Sequence, residues 1–232
     1  MRIALLVAAS VLVAGCSSGA GDDAASDSAL TTPSTTRATS TAASKPPTST
    51  ARPSDPRTAP VPGTAIADVV AWIEAGTPAD AGGYQSMTRD GASTPLNDGV
   101  AFTTAGTAAN CVTNRYRDGA LACLVELTDP PPRPPGIETA WKNNWVDFDG
   151  TTIDVGSPHG DPGPFVDGTG AELPAGQSLA FGDYRCRADV AGLFCVDYAH
   201  QTAVRLAATG IEAFGCLQKA TPPADIGIRF SC

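Results

Sequence analysis

The chain is short of positive charge. Over 232 residues, 15 Lys and Arg stand against 24 Asp and Glu. The first 63 residues carry Arg2, Arg37, Lys45, Arg52 and Arg57 against Asp22, Asp23, Asp27 and Asp55, so the remainder holds 10 basic and 20 acidic side chains (15 less 5, 24 less 4). Such an acidic part argues against nucleic acid as a partner, because that binding is driven by neutralising phosphates. It argues equally against a polybasic membrane-surface patch. A cationic ligand would use the acidity, and solubility alone also accounts for it. Aromatic residues make up 6% of the chain, which gives no sign of a large apolar carrier cavity. There are two histidines, His159 and His200, and no C-x-x-C spacing, so neither a zinc site nor a cofactor site is expected. After the first 15 residues no apolar run approaches the roughly 20 residues of a membrane-spanning helix.

What is present begins at the N-terminus. Arg2 precedes an apolar run from Ile3 to Ala14, which has the form of a secretory signal peptide over residues 1–15. The run ends in Val13-Ala14-Gly15-Cys16. This resembles a bacterial lipobox, where an aliphatic residue, a small residue and Gly or Ala lead into a cysteine. The resemblance implies that Cys16 is diacylated on sulfur and becomes the new N-terminus. Several acyl chains hold a protein far more firmly than one. The expected partner is therefore the membrane, reached through a lipid anchor on the extracytoplasmic face. Gly15-Cys16-Ser17-Ser18-Gly19 also matches G-x-S-x-G, but that motif needs a strand-to-helix turn in an α/β sheet and here lies at a cleavage site.

Residues 16–63 are dominated by Ser, Thr, Ala, Gly and Pro. Such a stretch buries too little apolar surface to offset chain entropy, and a disordered tether is expected. Residues 64–232 are expected to form one globular domain. Thr64 to Gly76 reads as a short helix, with Ile66, Val69, Val70 and Ile73 at helical spacing, Thr64 as cap and Gly76 as stop. Strands follow. Val100-Ala101-Phe102 is one. Cys111 to Val125 forms a hairpin about Arg117-Asp118-Gly119, and Trp145 to Val155 another about Asp149-Gly150. Leu179 to Cys186 and Leu193 to Tyr198 make a further pair, and Ala203 to Leu206 one more strand. The fold class is mainly β with one short N-terminal helix, a small α+β domain of antiparallel hairpins.

Cysteine count fits this picture. Of seven cysteines, setting Cys16 aside leaves Cys111, Cys123, Cys186, Cys195, Cys216 and Cys232, an even set in an exported, oxidising setting. Six cysteines allow 15 connectivities. Local pairing is the economical one: Cys111 with Cys123 and Cys186 with Cys195, each pair flanking a hairpin, then Cys216 with Cys232 by elimination.

The runs WVDFDGTTIDVGSPHGDPGPFVDGTGAELPAGQSLAFGDYRC and GQSLAFGDYRCRADVAGLFCVDYAHQTAVRLAATGIEAFGC, with DPPPRPP upstream, resemble exported actinobacterial lipoproteins of the LppI type. The resemblance covers about residues 65–217 plus the lipobox. It implies a cell-envelope lipoprotein and carries no catalytic residues. The broader group has a further cysteine pair in mid-domain; here Cys216 and Cys232 stand instead.

Other constellations are weaker. His159 lies in an exposed-looking Pro/Gly loop. His200, Asp197 and Ser178 would have to converge to make a triad. Asp147, Asp149 and Asp154 invite calcium, but an EF-hand loop needs Gly at its sixth position and Gly150 is fourth. Pro130 to Pro135 reads as a rigid connector. The expected function is a non-catalytic, surface-tethered binding or structural module, with a lipid or small-molecule carrier and an envelope hydrolase as alternatives.

Overall fold

The computed structural model describes residues 58–232. The expected signal peptide, Cys16 and the expected tether up to residue 57 lie outside the described residues. Among the described residues one helix, α1 (Ile66–Glu74), precedes sixteen strands: β1 (Thr77–Pro78), β2 (Ser86–Arg89), β3 (Ala92–Pro95), β4 (Ala101–Thr104), β5 (Ala109–Asn114), β6 (Ala120–Val125), β7 (Trp141–Phe148), β8 (Thr152–Pro158), β9 (Ala171–Glu172), β10 (Gln177–Phe181), β11 (Tyr184–Asp189), β12 (Gly192–Asp197), β13 (Thr202–Ala207), β14 (Gly210–Phe214), β15 (Gln218–Ala220) and β16 (Ile228–Ser231). Short 3₁₀ turns occupy Ala81–Tyr84 and Gly163–Phe165. The strands form a six-stranded sheet ordered β1-β10-β11-β12-β13-β14, an eight-stranded sheet ordered β15-β16-β8-β7-β6-β5-β4-β9, and the β2–β3 hairpin. The mainly β class with an N-terminal helix is thus as read from the sequence.

Period-two burial places the sheets face to face. Phe102, Val146, Phe148, Ile153 and Val155 of the larger sheet pack with Leu179, Leu193, Val204 and Leu206 of the smaller one in a single inner core. Because side chains alternate along a strand, their neighbours point outward and need separate cover. On the six-stranded sheet, Phe194, Val196, Ala203 and Phe214 are covered by Val69, Trp72 and Ile73 of α1. This explains why β12 is buried at every position and reads as a continuous apolar run, Leu193 to Val196. On the eight-stranded sheet, Ala101, Val112, Ala122 and Trp145 are covered by Met87 of the hairpin and Phe165 of the loop after β8.

Helix α1 is clamped from below. The Arg187 guanidinium lies 3.8 Å from the Trp72 ring centroid and donates to the Trp72 carbonyl, satisfying an acceptor near the helix C-terminus. The helix stops at Ala75, and a β-carbon on Gly76 would press within 3.0 Å of the Ser178 side chain. The Thr64 side chain does not cap the helix. Its hydroxyl closes a turn with Val61, accepting from the Val61 N–H and donating to the Val61 carbonyl. That turn also explains why packing starts before residue 64: Pro60 is buried and Ala59 rests against the helix core.

The three disulfides form as read: Cys111–Cys123, Cys186–Cys195 and Cys216–Cys232. The first two join directly opposed residues on neighbouring strands, β5 with β6 and β11 with β12, at Cα separations of 4.1 and 4.0 Å. All four of these sulfurs belong to residues of the inner core. The third ties the crossing after β14 to the C-terminus. The expected single strand from Leu179 to Cys186 is instead broken at Gly182-Asp183 into β10 and β11, which pair with each other. β14 to β16 and the β2–β3 hairpin were not foreseen.

Peptide mapping without reduction should recover these three pairs. Replacing Cys111 and Cys123 together by alanine should lower the unfolding free energy by about 2–4 kcal/mol, read as a lower urea midpoint; an unchanged midpoint would show that this bridge contributes nothing.

Candidate binding cleft

A cleft of about 500 Å³ opens on the outer face of the eight-stranded sheet, where the hairpin and the loop after β8 leave the face incompletely covered. Its floor is Asn114 at the end of β5 and Trp145 in β7. One wall is the β5–β6 turn with Tyr116 and Arg117. The other is the loop carrying His159, Asp161, Pro162 and Pro164.

Each floor and wall residue is held by its neighbours. The His159 ring stacks on Trp145 at 3.5 Å between centroids, 17° from parallel, and Phe165 meets Trp145 edge-on at 5.0 Å. His159 Nε2 lies 2.9 Å from Ser157 Oγ. Burial is the main cause that lowers the His159 pKa below its usual value, against the raising effects of Asp147 and Asp161. Arg117 donates to Asp147 Oδ2 at 2.7 Å; this pairing permits the Asp147 carboxylate to be buried. Arg115 donates to the Tyr116 hydroxyl at 2.9 Å and lies over its ring. Tyr116 itself is 65% exposed. The Tyr116 N–H donates to Asn114 Oδ1.

The histidines therefore differ from the sequence reading. His159 is a half-buried member of the cleft, not a freely exposed loop residue. His200 lies 3.0 Å from Asp197 Oδ1, but no triad forms with Ser178. Ser178 pairs in register with Arg187, whereas Asp197 pairs with Tyr184 at the opposite end of β11, and the Ser178 hydroxyl donates to the Gly76 carbonyl. The Asp197–His200 pair instead packs against the β7–β8 turn. Gly150 there has φ +87°, and a β-carbon would collide with both side chains.

The three aspartates considered for calcium are all engaged elsewhere. Asp147 meets Arg117. Asp154 takes a two-pronged contact from Arg229, at 2.6 Å for each oxygen. Asp149 accepts four bonds from Thr151 and Thr152, which hold its pKa below the ordinary value although burial acts the other way. Among the described residues no group of three or more His, Cys, Asp or Glu is placed to hold a metal. Pro131 in the proline run is buried and accepts from the Trp141 indole at 3.4 Å, in keeping with a connector that leaves β6 along the body.

Sequence reading missed the cleft as a unit. Tyr116 and His159 are 43 positions apart, and only the β5-β6-β7-β8 order brings them together. An aromatic residue exposed in a polar turn is the one local hint.

The fold and cleft define a disulfide-stapled β-sandwich with an aromatic-floored surface site. Compared with known proteins, the chain matches no family model, no curated protein and no solved structure.

The depressed His159 pKa has a definite sign. In the pH window just below about 6.5 the unfolded chain binds more protons at this residue than the folded one, so stability rises with pH through the window and is lost on acidification. An NMR titration of His159 should give a midpoint below that ordinary value; a midpoint above it would contradict the packing described.

Proposed function

We propose that this chain is a lipid-anchored extracytoplasmic protein whose sandwich acts as a binding module and not as an enzyme. The observation that carries the reading is the pairing of all six cysteines beyond residue 100. It leaves Cys16, at the end of the apolar run, with no partner in its own chain and in the setting of a lipobox. Disulfides also fit an oxidising, exported location. The resemblance to exported actinobacterial lipoproteins supports the same address. Binding is favoured over a carrier role because the inner core is filled by side chains of both sheets, while the cleft is a surface feature with aromatic and proline walls.

A second reading rests on one contact. Ser157 and His159 lie within hydrogen-bond distance beside the cleft, which a hydrolase would need. Against it, Ser157 is buried, it does not line the cleft, and no carboxylate is hydrogen-bonded to the other ring nitrogen of His159. A triad requires that third group to orient the base.

Two experiments follow. Cys16→Ala should move the protein from the membrane fraction to the soluble fraction once signal-peptide cleavage has been verified; a cleaved variant that stays with the membrane would refute the anchor. A fluorophosphonate probe should leave Ser157 unlabelled; labelling that Ser157→Ala abolishes would favour the hydrolase.

A further inference from the structure

The free polar groups of the cleft are of both kinds. Asn114 is 4% exposed, gives its amide oxygen to the Tyr116 N–H, and makes no bond through its amide nitrogen, an atom not sealed from solvent. Arg117 uses one nitrogen on Asp147 and keeps further N–H groups. The Tyr116 hydroxyl accepts from Arg115 and has its own proton to donate. On the opposite wall Asp161 Oδ1 accepts from the Gly163 N–H at 2.8 Å, and its Oδ2 is left to accept. A ligand that satisfies this set both donates and accepts, as a hydroxyl does. The Asn, Arg and Asp groups are also planar and two-pronged, which suits hydroxyls on adjacent carbons.

Scaffold and charge narrow the class. The floor lies on β5 and β7, which have paired neighbours on both sides, so no strand edge is open there to take up a peptide by main-chain pairing. Charge is close to balanced. Arg117 meets Asp147, Arg115 lies 3.9 Å from Asp167, and Lys142 acts on His159 against Asp161. A strongly charged ligand of either sign gains little from such a rim. Tyr116, 65% exposed, offers an apolar ring with a polar tip, and Pro162 and Pro164 stand across the cleft from it. Two grooves continue the cleft. One of about 370 Å³, with Asn97, Thr113 and Arg115, meets it at Pro164; another of about 410 Å³, with Asp118, Asp149 and Tyr184, meets it at Tyr116 and Arg117. A ligand built of repeated polar units fits such a furrow.

We propose that the cleft binds a neutral oligosaccharide. One pyranose ring packs its apolar C–H face on Tyr116, Asn114 and Arg117 donate to its oxygens, and Asp161 accepts from a hydroxyl. Neighbouring units occupy the continuing grooves. The aromatic ring supplies the apolar contact. The polar groups are held in advance by Asp147, the Gly163 N–H and the Tyr116 N–H, so they orient the sugar at little ordering cost. Each further unit binds as part of one molecule, so affinity rises with chain length. The inference rests on the sandwich being a binding module, as proposed above, and is independent of the lipid on Cys16.

The test uses the chain from residue 17 to 232 with its disulfides intact, labelled with nitrogen-15 and titrated with neutral tetrasaccharides of glucose, of mannose and of galactose. At least one should shift the Tyr116 and Gly163 N–H and the Asn114 side-chain amide resonances to saturation, and bind more tightly than its own monosaccharide. Tyr116→Ala, at an exposed position, should weaken that binding about tenfold, while Tyr116→Phe, which keeps the ring, should retain most of it. Asp161→Asn, which turns the free acceptor into a donor, should weaken it as well. No saturable shift with any of these sugars would overturn the saccharide assignment and leave the cleft open to another class of ligand. Shifts that Tyr116→Ala leaves unchanged would place the sugar elsewhere and overturn it too. Tighter binding of tetragalacturonate would contradict the neutral ligand. Cleavage of a bound tetrasaccharide would uphold the saccharide and overturn the non-enzymatic reading of the module instead.

Discussion

Two sheets pack face to face, and two cystines lie inside the layer between them. Cys111, Cys123, Cys186 and Cys195 are at most 1% exposed, so each bridge is both a crosslink and a part of the apolar core. A chain with 24 glycines has much backbone entropy to lose at those positions and many turns to hold. Crosslinks between adjacent strands reduce the freedom of the unfolded chain and fix register in the centre of each sheet. A one-residue slip would turn the inner set of side chains outward, and the bridged pairs prevent it at the hairpins β5–β6 and β11–β12.

Once the inner faces are joined, each sheet still has an outer face to cover. The six-stranded sheet solves this with α1, locked by Arg187 beneath Trp72. The eight-stranded sheet has only a two-stranded hairpin and a loop, and this cover leaves an opening between the β5–β6 turn and the loop after β8. The cleft is that shortfall. Its polar groups follow from the same arrangement, because outward positions on β7 and β8 hold Asp147 and Asp154. Both carboxylates are nearly buried and each has an arginine, Arg117 or Arg229. Removing either arginine would leave a buried charge without its partner, which is more costly than never having built the pair. The Arg229 contact also fastens the C-terminal strand to β8, beside the Cys216–Cys232 bridge.

Sequence carried the local parts of this architecture well. Asp149-Gly150 and Arg117-Asp118-Gly119 announce their turns because positive φ is needed there, and Asp118, Gly119 and Gly150 all adopt it. Cysteine spacing sufficed for the two hairpin bridges because each pair flanks one turn. Elements defined by packing were harder to read. β14 to β16 contain Glu212, Lys219 and Arg229, which blur any alternation, and β15 and β16 join the sheet only through the pairing of β16 with a strand distant in sequence, β8. Thr64 has the right identity for a helix cap, but a tighter local turn with Val61 takes its hydroxyl. The cleft was illegible because its walls come from three separated segments. His159 in particular reads as a loop residue until the partner it stacks on, Trp145, is known.

The central claim joins an anchored N-terminus to a fully bridged body, and intact mass of the native protein measures both together. Protein purified from its own membranes, without reductant, should lack residues 1–15, carry diacylglycerol on Cys16, and weigh six hydrogens less than the all-thiol form of residues 111–232, as three bridges require. A species that retains residues 1–15 or ends in an unmodified Cys16, or one whose later cysteines react with an alkylating agent before reduction, would contradict the account.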